Sequence, residues 1–384
     1  MKLSPAGLLA PLVLFGCTTA AVPQSPDCTL VQEGFGPRGT VPVRAETVVS
    51  GLEVPWGIAF LPGGAMLVTE RPGRIRLVEG GKIAATVATV DIHAGDEGGL
   101  LGIALHPDFG SNHLFYVYAT VDADGKRQNR VLRYKLADDQ HAATFDRVIV
   151  SDIGGAPHHD GGRLRFGPDG MLYIGTGDAK EPDSSQSMST SNGKILRVTP
   201  DGAVPADNPF PNSSIFILGV RNTQGFDWLD AQTLLVTDHG PSGDTSRRGH
   251  DEVNVARKGD NLGWPGIYSC EAKPGNVTPS LTWEEAAPPG GAAIYTGDAI
   301  PEWKGSLIIG TLRATHLHRV LLDPKNPKRV AQHEVYFEGE APKGLGRLRE
   351  VIMGPDKQLY VTTSNCDGRG ECGDAKDSIV KITK

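Results

Sequence analysis

Residues 158–178 read HHDGGRLRFGPDGMLYIGTGD. Two short runs alternate apolar and polar residues, Arg163–Phe166 and Met171–Gly175, and GPDG joins them. Alternation of period two around a Pro/Asp/Gly turn is the signature of a β-hairpin. Ionisable residues stand at both ends of the hairpin: His158, His159 and Asp160 before it, Asp178 after it. Antiparallel pairing brings these ends together, so His159 and Asp178 are expected to meet at one edge of the sheet.

The same unit recurs along the chain. It starts at Trp56 (WGIAFLPGGAMLVTERPGRIRLV), Leu100 (LLGIALHPDFGSNHLFYVYAT), Arg163, Gly225 (GFDWLDAQTLLVTDHG), Ile300 (IPEWKGSLIIGTLRATHLHRVLL) and Arg349 (REVIMGPDKQLYVTTSN). Each copy has two alternating strands about a turn, then a gap and further short strands such as NRVLRYKL, GKILRV and SIVKITK. Almost no stretch carries a 3.6-residue period long enough for a helix. Six irregularly spaced β units predict an all-β chain, a six-bladed β-propeller of four-stranded antiparallel blades over residues 45–384. A β-sandwich is the other all-β arrangement, but it gives no reason for six similar copies.

With 384 residues, 39% hydrophobic, the chain can bury a sizeable core. The formal net charge is -7 and no Lys/Arg-rich run occurs. Nucleic acid and anionic membrane surfaces are therefore poor partners. Lys2 and the apolar run LLAPLVLF resemble a secretion signal, too short to span a bilayer. The run ends in LFGC, which resembles a bacterial lipoprotein processing box. Residues 1–16 are then a signal peptide, Cys17 is the lipidated residue, and 17–44, small and polar with prolines, is a tether. Thr18 after the cysteine places the anchor at the outer membrane, by resemblance to lipoprotein sorting rules. The expected location is the periplasmic face of a bacterial membrane, held only by lipid.

Four cysteines remain, Cys28, Cys270, Cys366 and Cys372, and four allow three connectivities. An exported chain keeps disulfides. CDGRGEC is expected to close a loop between Cys366 and Cys372, which leaves Cys28 for Cys270. No CxxC or clustered His spacing supports zinc.

Positions equivalent to the ends of the first hairpin add Glu97, Arg221, Asn222, Gly240, Pro241, Arg313, Arg347 and Arg349 to the same mouth. Four arginines beside one imidazole suit a small polyanionic ligand next to a base.

EGGLLGIALHPDF, HDGGRLRFGPDGMLYIGTGD, RNTQGF, DHGPSG and DEVNVARKGDNLGWP, in this order along the chain, resemble the soluble glucose/sorbosone dehydrogenase family. These are six-bladed propellers that carry pyrroloquinoline quinone (PQQ). The resemblance runs from about Val48 to the C-terminus. It implies PQQ- and Ca²⁺-dependent oxidation of the C1 hydroxyl of an aldose to a lactone, with electrons passed on to a quinone or soluble carrier. By motif, His159 matches the base that takes the hydroxyl proton as hydride leaves for the quinone, and Asp178 matches the carboxylate that orients it. Arg221, Asn222, Arg313, Arg347 and Arg349 match the grips on the PQQ carboxylates. Glu97 and Gln186 match positions near substrate. Gly240 and Pro241 match carbonyl ligands of calcium, and Glu252 with the Leu262 carbonyl matches a second calcium site. The family commonly has RNPQGL for RNTQGF, EHGP for DHGP and tyrosine at 262; no proposed ligand is removed by these departures. His158 matches no role. His316 and His318 are expected to be packed in the fifth unit, and Trp56, Trp264, Trp283 and Trp303 to fill space between blades.

Two other functions compete. A metal-dependent propeller lactonase needs several carboxylates at equivalent positions, which are not seen. A non-catalytic cell-surface binding propeller needs no histidine–aspartate pair.

Overall fold

The computed structural model describes residues 22–93, 95–241 and 247–384. The signal peptide and Cys17 lie outside the described residues. Six sheets succeed one another along the chain. Blade 1 holds strands Pro55–Phe60, Met66–Glu70, Arg74–Glu79 and Lys82–Thr89, paired antiparallel in that order. Blade 2 runs from Leu100–Leu105 to Ala143–Gly154, and blade 3 from Leu164–Phe166 to Ile215–Ile217. Blade 4 spans Thr223–Asp230 to Leu281–Trp283, and blade 5 spans Pro289–Ile294 to Asn326–Tyr336. The molecule is a six-bladed β-propeller, as the repeats predict. Its one described α-helix, Phe109–Asn112, is a single turn.

Blade 6 closes the ring from both ends of the chain. Leu348–Met353, Leu359–Thr363 and Asp377–Thr383 pair with Arg44–Leu52 on the outer edge. Radial closure leaves no long open edge near the axis. First strands of successive blades pack against one another around that axis. A buried ion pair, Arg163 with Glu350, ties blade 3 to blade 6 there, and Arg163 Nε also donates to the Gln224 carbonyl of blade 4 (2.7 Å). The Arg163 guanidinium lies 4.6 Å above the Trp56 ring of blade 1.

The fifth repeat differs from its sequence reading. Its innermost strand is Pro289–Ile294, PGGAAI, ahead of the expected start at Ile300. All six residues are buried. A strand enclosed on both faces shows no alternation. Small residues are also required: a Cβ on Gly290 would lie 2.5 Å from the Arg349 carbonyl oxygen.

From residue 22 on, the expected tether lies on the propeller. Thr29–Val31 adds a parallel fifth strand to blade 4, and Cys28 is disulfide-bonded to Cys270. Phe35 packs on His316 at 5.0 Å between ring centroids and its carbonyl accepts the Trp283 indole N–H (3.1 Å). Cys366 and Cys372 form the second disulfide. Trp56, Trp283 and Trp303 are buried between blades, as expected.

Candidate active site

Every blade sends the start of its first strand and the end of its second to the same mouth. A cavity of about 500 Å³ opens there, lined by Arg71, Glu97, His158, His159, Lys180, Arg221, Gln224, His239, Ala286, Pro288, Leu312, Arg313, Arg347, Arg349, Asp367 and Arg369. Of the residues expected from the sequence, His159, Glu97 and all four arginines are on this wall.

His159 and Asp178 do meet: Nδ1 is 2.6 Å from Asp178 Oδ1, and both side chains are buried. A carboxylate oxygen accepts, so Nδ1 is the nitrogen that carries the proton toward Asp178. The backbone holds this meeting tightly. His159 takes φ +68°, in the left-handed region that non-glycine residues adopt uncommonly. Its carbonyl accepts the Ala179 N–H (3.2 Å), and a Cβ on Gly177 would fall 1.8 Å from that carbonyl oxygen. Only glycine permits this approach, which explains the GTGD spelling.

Glu97 lies over the histidine. Its Oε2 accepts the His159 backbone N–H (3.1 Å) and its Oε1 accepts Arg369 Nη1 (3.1 Å). Burial alone would raise the Glu97 carboxyl, yet His239, the His159 amide and Arg369 hold it at about 2. His239 itself is neutral at pH 7, pushed down to about 3 by burial. At neutral pH the amide and the guanidinium therefore support an ionised Glu97.

Opposite, positive charge is crowded. Arg347 Nε and Nη2 donate to Asp367 Oδ2 (2.9 and 2.7 Å), and Arg349 Nη1 donates to Gln224 Oε1 (2.6 Å). Arg349 is pushed down to about 9, by burial first, with Arg347 and Arg71 adding repulsion. Its Nε is buried without a hydrogen-bond partner. A buried, under-satisfied guanidinium beside two others is a site built for an anion that spreads charge over several carboxylates. The arginine-lined volume fits PQQ on those grounds.

A second, small cavity adjoins, lined by Arg221, Asp238, His239, Gly240, Pro241, Glu252, Trp264, Ile267 and Tyr268. Asp238 and Glu252 sit directly opposite in neighbouring strands. Burial raises Asp238 to about 7, and burial with the Asp238 charge raises Glu252 to about 8. Two carboxylates beside the Gly240 and Pro241 carbonyls form an oxygen donor set that suits a hard cation. Among the described residues no three His, Cys, Asp or Glu side chains converge as metal ligands. Any cation here therefore depends on backbone carbonyls.

Four expected residues do not line the cavities: Asp178, which stands behind His159, and Asn222, Gln186 and Leu262. Asn222 spends its side chain behind the wall: Oδ1 accepts the Gly161 N–H (2.9 Å) and Nδ2 meets His239 Nδ1 (3.3 Å). Gln186 is exposed and holds Asn261 and the Trp264 carbonyl instead. Leu262 is buried in an apolar cluster with Ile217 and Phe226. Six polar wall residues were not picked out from the sequence: Arg71, Lys180, Gln224, His239, Asp367 and Arg369. Two of them, Asp367 and Arg369, stand in CDGRGEC, the blade-6 counterpart of DHGP, so position in the repeat is the signal that finds them. Trp264 is a further departure: its Nε1 donates to Asp178 Oδ2 at 2.9 Å.

The sequence signature of the Glucose / Sorbosone dehydrogenase family matches residues 52–372. The chain is 34% identical over 354 residues to aldose sugar dehydrogenase YliI of Escherichia coli, spanning 85% of this chain and 91% of that protein. It is 26% identical over 418 residues to quinoprotein glucose dehydrogenase B of Acinetobacter calcoaceticus, spanning 83% and 84%. Among solved structures it resembles the PQQ-bound form of an aldose sugar dehydrogenase from Streptomyces coelicolor. The TM-score is 0.77 and the identity 35%, over 91% of this chain and 99% of that one.

Proposed function

The chain belongs to the glucose/sorbosone dehydrogenase family, and from that premise we propose that it oxidises the C1 hydroxyl of aldose sugars to lactones, with PQQ and Ca²⁺. The observation that carries this reading is the buried His159–Asp178 pair facing a cavity walled by arginines. When bound, the quinone supplies the two-electron acceptor for hydride.

The chain's own residues do the rest. His159 Nε2 accepts the proton of the sugar hydroxyl, and Asp178 stabilises the imidazolium that forms. Imidazole is the side chain suited to proton abstraction near neutral pH. Arg221, Arg313, Arg347 and Arg349 hold the cofactor carboxylates, and Asp367 with Gln224 fixes the last two guanidinium planes. Glu97, acceptor-only when ionised, takes hydrogen bonds from sugar hydroxyls beside the base. The Gly240 and Pro241 carbonyls, with Glu252 and Asp238 behind them, hold the calcium ion. Arg221 Nη2 donates to the Pro241 carbonyl (3.2 Å), which couples the cation site to the anion site. Export and lipid anchoring through Cys17 complete the proposal; two disulfides support an oxidising compartment.

The test is dye-linked oxidation of an aldose panel by apo-protein, with and without PQQ plus Ca²⁺, beside His159→Ala. Turnover should require both additions and fall by about 10²–10⁴-fold in the variant. Absence of turnover, with no PQQ retained after desalting, would sink the reading and favour a binding propeller.

A further inference from the structure

A carboxylate can orient an imidazole only if the carboxylate is itself held. Asp178 has two oxygens. Oδ1 accepts His159 Nδ1–H and the Lys180 backbone N–H (2.9 Å); Oδ2 accepts the indole N–H of Trp264, 86 residues away. With donors on both oxygens, the carboxyl plane cannot turn about its Cβ–Cγ bond. We infer that Trp264 is a positioning residue for the base of the proposed reaction, acting through Asp178.

The indole is placed from three sides. Its backbone N–H donates to the Gly219 carbonyl (3.1 Å), and its carbonyl accepts Gln186 Nε2 (2.6 Å). Gln186 in turn is held by Asn261 Nδ2 (2.7 Å). The Arg221 guanidinium lies 5.5 Å from the ring centre, within cation–π range. One ring therefore fixes the angle of the dyad relative to an arginine of the anion wall. Trp264 is buried, 7% exposed, and packing alone could account for a tryptophan; packing does not require an indole N–H aimed at a carboxylate.

The inference rests on the dehydrogenase reading but can fail separately. Trp264→Phe keeps an aromatic face under Arg221 and deletes only the donor. In PQQ- and Ca²⁺-loaded protein, kcat should fall about tenfold, well short of the loss of the base, while KM for the sugar stays within about twofold. PQQ retention should not change. A second readout needs neither cofactor nor substrate: ¹⁵N-histidine NMR of the apo-protein, with the His159 signals identified by their loss in His159→Ala. The parent should give one tautomer, protonated at Nδ1, and Trp264→Phe should move both nitrogens toward tautomer averaging. Gln186→Ala, which frees the indole loop from outside, should move the signals the same way by less, and it serves if Trp264→Phe does not fold. Unchanged nitrogen signals in a folded variant would overturn the inference. So would a drop in kcat matched by a rise in KM and loss of PQQ, which marks packing. If the parent itself shows no turnover, the dehydrogenase reading fails, while the tautomer measurement still decides the role of Trp264.

Discussion

At the scale of single residues, the site is a set of desolvated charges, each with a specific support. Asp160, beside the base, is the exception. Its Oδ1 accepts Asn129 Nδ2 (2.9 Å) and the Ala156 N–H (3.1 Å), but Oδ2 is buried with no partner. Burial raises this carboxyl from its usual value to about 6. A raised folded pKa means that the protonated form is favoured in the fold. The stability tied to it is full below about pH 4 and is lost as pH rises through 6. Asp160→Asn should therefore melt on the order of 2–4 °C higher than the parent at pH 7.5, a gap that closes toward pH 4. Calorimetry at the two pH values checks this. Arg349 poses the opposite case: burial and the neighbouring Arg347 and Arg71 disfavour its charge, and Asp367 at 3.3 Å offsets only part of that. Arg349→Gln should weaken PQQ binding about 10–100-fold, the share of one charge-assisted bond, without lowering the melting temperature of the apo-protein. Titration by quenching of tryptophan fluorescence separates the two effects.

At the scale of elements, blade 5 carries three neighbouring histidines, His316, His318 and His333, under the N-terminal segment. His316 Nδ1 meets the Ala314 carbonyl (3.0 Å) and Nε2 meets His318 Nδ1 (3.1 Å). The carbonyl can only accept, so His316 Nδ1 carries a proton, and when His316 is neutral its Nε2 accepts from His318 Nδ1–H. The His318 and His333 rings lie 5.4 Å apart, and Gly36 passes so close to His333 that a Cβ would reach 2.6 Å. Burial pushes His316 down to about 4 and His318 and His333 downward too, against the small pull of Glu334 on His333. Unfolded histidines titrate near 6.5. Stability is therefore full above about pH 6.5 and is lost as pH falls toward 4, because the unfolded chain takes protons first. Urea midpoints at pH 7 and pH 4.5 should fall further in the parent than in His318→Leu, whose acid sensitivity should be smaller. Equal losses in both proteins would discard the cluster as a cause.

At the scale of the whole molecule, closure is the main device. Arg44–Leu52 and Asp377–Thr383 lie more than three hundred residues apart in the chain, yet pair through seven aligned positions. Blade 6 has no outer half without them. Deleting residues 377–384 should abolish the single cooperative unfolding transition rather than remove one blade's share of stability, since an open ring exposes both the blade-6 edge and the flank of blade 1. A scan by near-ultraviolet circular dichroism distinguishes these results. The Cys28–Cys270 bond, spanning 242 residues, acts at the same scale by fastening the N-terminal segment to blade 4. Its replacement by serines is expected to cost about 2–5 kcal/mol.

Six alternating hairpins with Gly, Pro and Asp at their turns were readable along the chain because each depends on residues within twenty positions of one another. The His159–Asp178 meeting was readable for the same reason: one hairpin joins them. The innermost strand of blade 5 was not, because burial on both faces erases alternation. Nor were Asp367 under Arg347 and Arg349, Arg369 on Glu97, or the Trp264 N–H on Asp178. The last two span 272 and 86 residues. Motif order placed Asn222 and Gln186 near the site, but only packed side chains reveal which way each one points. Local periodicity thus determined the blades and their number. Ring closure alone decided which charges share one cavity, because it sets distances that no local pattern encodes.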